Sequence, residues 1–159
     1  MKVGMYYNNN DVRIEEVPIP ETGPNDILIK IMASGICGSD IMEWYRIKKA
    51  PLVLGHEITG KIEKIGRDIP PGKFKTGDRV FSTHHVPCEK CLYCKNGNET
   101  ACETFHTTNN FSPGGFAEYL RVSGKSVDTG TFILPDNLSY EQGSFIEPLG
   151  TVIRGLRGI

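Results

Sequence analysis

Apolar residues recur at every second position in several short runs of the first half of the chain. In "DILIKIMASGI", Ile27, Ile29 and Ile31 share one face, and "VRIEEV" and "ITGKIEKIG" repeat the same period. That is the period of a strand with one face buried. Proline and glycine break the runs at "PIPETGPND", "RDIPPGKFKTGDRV" and "FSPGGF". Short strands parted by such turns, without alternating strand and helix, predict a mainly β fold, a compact and partly open β-barrel. The apolar spacing of "GSDIMEWYRI" predicts a helix of about two turns. Towards the end, Ser139 followed by Gln142 three residues on has the capping-box pattern, so a helix is expected to begin there. Pro148 should interrupt it, and "TVIRGLRGI" should resume helical spacing through the last residue. A helix running to its last residue without a cap reads as a domain of a longer protein. The chain has no internal repeat and no low-complexity tract.

At 159 residues the chain has the length of one domain with a real core, or of one domain and part of another. Eighteen basic residues against nineteen acidic ones, net charge -1, leave no electrostatic footprint for nucleic acid or an anionic membrane. No apolar run approaches the ~18 residues of a membrane span, and "MKVGMYYNNNDVRIEE" lacks the apolar core of a signal peptide. A cytoplasmic location is therefore expected. Five cysteines is an odd number, and in a reducing compartment thiols clustered at short spacing favour metal over disulfides.

Four of the five stand in "PCEKCLYCKNGNETAC" as Cys88, Cys91, Cys94 and Cys102. Two-residue gaps let successive thiolates turn to a common point, and the longer excursion closes a tetrahedron with Zn–S distances of ~2.3 Å. Four sulfurs leave no open position, so the site is structural, standing in for a core in a lobe whose apolar material is Leu92 and Tyr93. Two disulfides, free thiols or an iron–sulfur cluster are the competing readings. A nucleic-acid-binding zinc ribbon is disfavoured because "EKCLYCKNGNET" is not strongly basic.

The fifth, Cys37, lies in "SGICGSD", and His56 and Glu57 follow in "LGHEITGKIEKIG". A lone cysteine or histidine is more often buried filler than a ligand. Their neighbours change the weighting: Asp40, three residues after Cys37, is placed to accept the free imidazole proton of His56, the contact that fixes a metal-binding tautomer. Glu147, in "FIEPLG", is an acid amid apolar residues that, taken alone, reads as an ordinary first-turn or surface carboxylate before it reads as a ligand.

At these residues the chain resembles the medium-chain zinc-dependent dehydrogenases. "GHEITGKIEKIGRDI" matches that family's zinc signature at Gly55, His56, Glu57, Gly60, Gly66 and Ile69. "GICGSD", "GDRV", the cysteine lobe, "GGFAEY" and "EPLG" stand around it in the family's order. "CGSD" with "EPL" is most similar to the sorbitol, butanediol and threonine dehydrogenase branch, since alcohol dehydrogenases of the better-known kind carry a cysteine in place of Glu147. The resemblance implies a GroES-like (chaperonin-10-like) barrel with short helices over residues 1–150, a structural zinc lobe over 87–103, and a connecting helix beginning at 151–159. It implies two zincs per chain. Cys37 and His56 would hold the catalytic one, with Glu57 or Glu147 as the carboxylate ligand and Asp40 behind them. Ser39 matches the family's hydroxyl that contacts the substrate oxygen and relays its proton, while Met42 stands where some members have a relay histidine.

The function implied is oxidation of a secondary alcohol or polyol, or reduction of the ketone, by hydride transfer with NAD or NADP. Zinc suits that reaction: three protein ligands leave a fourth position, and the cation lowers the pKa of a bound water from 15.7 to roughly 7. A carboxylate in place of a thiolate makes the site harder, which suits a substrate with two adjacent oxygens. No G-x-G-x-x-G occurs in the chain, so the Rossmann domain that would bind the nucleotide is absent and the chain alone is expected not to turn over. The family's final segment is missing too, so exposed apolar surface or an unpaired strand edge is expected. The full-length protein is expected to be a homodimer or homotetramer. Trp44 and Tyr45 could wall the substrate pocket or pack in the core. His84 and His85 read as residues of a strand leading into the lobe, and they and His106 are assigned to no metal. The alternative from another class is a stand-alone, zinc-stapled GroES-like scaffold without chemistry, which would need no open metal site.

Overall fold

The computed structural model describes residues 1–156. Among these, nine strands run as β1 Lys2–Asn8, β2 Asp11–Glu16, β3 Ile27–Gly35, β4 Leu52–Val53, β5 Glu57–Ile65, β6 Arg79–Ser82, β7 Phe111–Ser112, β8 Tyr119–Val122 and β9 Thr131–Ile133. They form a six-stranded sheet of order β7-β8-β3-β5-β6-β9 and a three-stranded sheet of order β2-β1-β4, with every pairing antiparallel. A bridge between Val3 and Ala117 joins the two. Strands β7 and β9 end the large sheet without pairing to each other, so the barrel is partly open, as the strand pattern implied.

The alternation in β3 explains why the fold closes where it does. Ile27 and Ile29 face Ile65 and Ile62 of β5 on one side and Val122 and Leu120 of β8 on the other. With Ile58, Val80 and Val127 they form one core almost free of solvent, each side chain worth about 1.5–3 kcal/mol of burial. Leu28, on the opposite face of β3, is buried as well, so this end of the strand is covered on both sides.

Two helix expectations need correction. "GSDIMEWYRI" is not one helix but a 3-10 turn Gly38–Ile41, a break at Met42 and a single α-turn Glu43–Arg46, which runs into a second 3-10 turn Ile47–Lys49. Ile41, Met42, Trp44 and Tyr45 are all exposed, so no buried apolar face holds a continuous helix together, and turns this short are marginal without one. At the other end, the capping box forms as expected: the Gln142 backbone N–H donates to Ser139 Oγ at 3.1 Å, and Gln142 Oε1 accepts from the Ser139 N–H at 2.9 Å. That helix, Tyr140–Ser144, stops at Phe145, and a new one runs over Ile146–Leu156. Pro148 sits in the first turn of the second helix, where a missing N–H costs nothing. The break therefore precedes the proline. The last three residues of the expected helix lie outside the described residues.

The helix Tyr140–Ser144 is pinned to the barrel by Thr59, whose buried hydroxyl donates to the Tyr140 carbonyl at 2.7 Å. This contact aims the helix that follows, and with it Glu147, towards the start of β5. No helix among the described residues is long and apolar enough to cross a membrane. The outer face of the last helix leaves Leu149, Val152 and Leu156 exposed, and Phe132 and Ile133 are exposed on edge strand β9.

Candidate metal centres

The lobe brings its four sulfurs together with short elements. Glu89 turns the chain after Cys88 with φ 61. Cys91 and Cys94 flank and enter the helix Leu92–Lys95, and Cys102 precedes the helix Glu103–Thr107. All four Sγ atoms lie within 4.8 Å of one another, with Cys91 to Cys94 at 3.5 Å and Cys88 to Cys94 at 3.9 Å. A tetrahedron with ~2.3 Å metal–sulfur bonds has edges of ~3.8 Å, so the sulfurs are spaced for one ion. They are too far apart for disulfides, and all five cysteines are free thiols. Leu92 and Tyr93 are 75% and 54% exposed, so the lobe has no apolar core of its own.

Electrostatics shows the same need for a cation. Backbone N–H groups of Cys88 and Phe105 pull the Cys102 thiol down to about 6, while burial and the thiols of Cys91 and Cys102 push Cys94 up to about 12. The cluster can hold four thiolates together only around a positive ion. Lys125 fastens the lobe to the barrel, donating to the Cys88 carbonyl at 3.2 Å and pairing with Glu89 at 2.7 Å.

The second cluster arises from strand pairing. Gly35, at the end of β3, is the register partner of Glu57, at the start of β5. Cys37 leaves β3 and His56 enters β5 at the same end of the barrel. Gly55, just before His56, turns with φ 93, a conformation that side chains resist. A Cβ on Gly35 would strike the Glu57 carboxylate, so the glycine makes room for it. The result is one sulfur, one nitrogen and one oxygen, from Cys37, His56 and Glu57, all within 4.8 Å of one another. Glu57 is buried, and the His56 side chain is 12% exposed.

Asp40 ties this cluster together. Its carboxylate accepts from the Cys37 N–H at 3.1 Å and lies 3.6 Å from His56 Nδ1. The second distance is longer than a hydrogen bond, so the expected proton acceptance is not made at bonding distance. Arg46 is the competitor: its guanidinium contacts Asp40 at 3.5 Å and donates to the Ser39 carbonyl at 2.9 Å and to Ser39 Oγ at 2.8 Å. Glu147 lies outside the three-residue cluster, but its carboxyl is raised by burial and feels His56, Glu57 and Asp40. It sits on the last helix, Ile146–Leu156, and does not line the cavity.

Ser39, Asp40 and His56 open onto a cavity of about 350 Å³. Tyr45 lines it, whereas Trp44 is 70% exposed and does not. His84 and His85 lie beyond the end of β6 rather than on a strand, and both line the cavity together with His106. Burial first, then the neighbouring His85, His56 and Arg46, hold the His84 imidazole down to about 3, and its Nδ1 has no hydrogen-bond partner. These histidines, Arg46 and Lys49 were not legible as parts of the site. The pair "HH" before the lobe was the one signal, and it gives no direction without the fold.

The family model of the alcohol dehydrogenase GroES-like domain matches residues 23–129, and the chain belongs to that family. Within it, the relatives are dehydrogenases of the branch to which the motifs pointed. The chain is 36% identical to sorbitol dehydrogenase of Bacillus subtilis over 96% of its own length and 44% of the relative's. It is 36% identical to L-threonine 3-dehydrogenase of Escherichia coli over 87% of its length and 40% of that protein. Among solved structures, 2R,3R-butanediol dehydrogenase of Bacillus subtilis superimposes with a TM-score of 0.77 at 30% identity, covering 98% of this chain and 46% of that one. The chain thus spans less than half the length of these relatives.

Proposed function

We propose that the chain is the zinc-binding catalytic domain, residues 1–150, of an NAD- or NADP-linked dehydrogenase acting on a secondary alcohol or polyol, with a nucleotide-binding domain reached through the last helix, which begins at Ile146 rather than at the expected 151. The observation that carries this reading is the convergence of Cys37, His56 and Glu57 beside a cavity that also exposes Ser39. A scaffold needs the four-sulfur lobe but has no use for a mixed, three-ligand cluster at a cavity wall. The names of the relatives support the substrate class, and the exposed apolar face of the last helix supports contact with further polypeptide.

Zinc held by Cys37, His56 and a carboxylate would supply Lewis-acid polarisation of a hydroxyl oxygen. The chain's own groups do the rest. Arg46, bonded to both the carbonyl and the hydroxyl of Ser39, fixes Ser39 Oγ as an acceptor from the guanidinium and leaves its hydrogen free to exchange with a substrate hydroxyl. The buried Asp40 holds the Cys37 backbone and stands behind His56. Glu57 closes the metal pocket from β5, and Glu147 is the alternative carboxylate, carried on the last helix. Met42 carries no proton, so release beyond Ser39 runs through other groups.

Cobalt substitution tests the reading. The cobalt-loaded chain should show a tetrathiolate spectrum from the lobe and a second, mixed-ligand spectrum that shifts on adding butane-2,3-diol or sorbitol. Cys37→Ser should remove the second spectrum alone. A single tetrathiolate spectrum insensitive to both alcohols would favour the scaffold reading instead.

A further inference from the structure

The charge distribution in the cavity goes beyond the general polyol reading, on which this inference rests. Three side chains that carry full charge line it: Asp40, Arg46 and Lys49. Asp40 is engaged by the Cys37 N–H, His56 and Arg46, and Arg46 is engaged by Ser39 and Asp40. Lys49 is different. Among the described residues its ammonium has no carboxylate within ion-pair distance and no hydrogen-bond acceptor, and it lies 5.5 Å from the centre of the Tyr45 ring. Glu43, the acid on the same helical stretch, accepts instead from the Asn9 backbone N–H. The other polar residues of the lining include His85, His106, Thr107 and Asn109, none of which carries a negative charge.

The cavity therefore carries one uncompensated positive charge and no uncompensated negative one. Such a pocket attracts an anion, and a lysine ammonium binds phosphate or carboxylate oxygens as a point charge. We propose that the cavity takes an anionic polyol, with its hydroxyl end at Ser39 and the metal cluster and its phosphate or carboxylate held by Lys49. The Lys49 ammonium lies exposed at the rim beside the Tyr45 ring; the Asn109 side-chain amide lines the same cavity and supplies a further donor, whereas His85 Nδ1 already donates to the Thr108 carbonyl at 2.7 Å.

Calorimetric titration of the zinc-loaded chain with sorbitol, phosphorylated sorbitol and gluconate tests the proposal. At least one of the two anions should bind about tenfold or more tightly than sorbitol, the worth of one charge-assisted hydrogen bond. Whichever anion binds better names the head group. Lys49→Gln should bring the preference to within about twofold, and Lys49→Arg should restore most of it; circular dichroism checks that both variants fold. Equal affinity for all three ligands, absence of anion binding, or a preference that survives Lys49→Gln would overturn it. Inorganic phosphate added to Cys37→Ser should still shift the NMR signals of Lys49 and His85, so failure of the metal-centre reading and failure of the anion site give different results.

Discussion

The two cysteine-containing clusters of this chain differ in what surrounds them more than in their ligands. The lobe has four sulfurs spaced for a single ion and almost no buried apolar residue, with Leu92 and Tyr93 facing water. The mixed cluster sits at the rim of a barrel that is already folded, between strands β3 and β5, whose core of Ile27, Ile29, Ile58 and Ile62 is fully buried. In the first, a metal replaces a core. In the second, a core positions ligands whose absence the fold should survive. Structural zinc contributes folding free energy directly, whereas an open site trades stability for a free coordination position.

That contrast can be broken most forcefully at the lobe. Cys91→Ser removes one of four ligands with no core beneath them, and should lower the thermal midpoint by roughly 10 °C or more. Hydrogen exchange should show residues 88–107 losing protection before the barrel does. Thr59→Val should follow: it removes the buried hydroxyl's bond to the Tyr140 carbonyl, at a cost of about 0.5–1.5 kcal/mol, measured by denaturant unfolding. Gly35→Ala should cost about 1–3 kcal/mol or less by crowding the Glu57 carboxylate, and it should weaken the mixed site's metal affinity while leaving the lobe's metal in place. Glu57→Gln and Glu147→Gln, compared by competition with a chelator, separate the two candidate carboxylates. The Glu57 change should weaken the second metal about tenfold or more, and the Glu147 change by less, because Glu147 lies outside the cluster in this chain.

The lobe was legible in the sequence because its geometry is local: gaps of two residues between cysteines dictate the spacing of their sulfurs whatever the rest of the chain does. The strands were legible for the same reason, since alternation of Ile27, Ile29 and Ile31 needs no partner to be seen. The mixed cluster required the family motif, because Cys37 and His56 meet only through the β3–β5 register. Arg46 and Lys49 carried no sequence signal, and the "HH" pair of His84 and His85 gave one without direction. Their roles depend on three separated loops facing one space, and on which charges neutralise one another there. The helix boundaries failed for a related reason. Pro148 reads as a breaker in isolation, but a break at Phe145 places it in a first turn, where it is harmless.

The most direct measurement of the central claim is the number of zinc ions per chain, by elemental analysis of purified native protein, Cys37→Ser and Cys91→Ser. Two ions are expected in the native chain and one in Cys37→Ser, with a thermal midpoint moved by only a few degrees, the equivalent of about 1 kcal/mol. One ion in the native chain, unchanged by Cys37→Ser, or unfolding by Cys37→Ser as severe as that by Cys91→Ser, would contradict it.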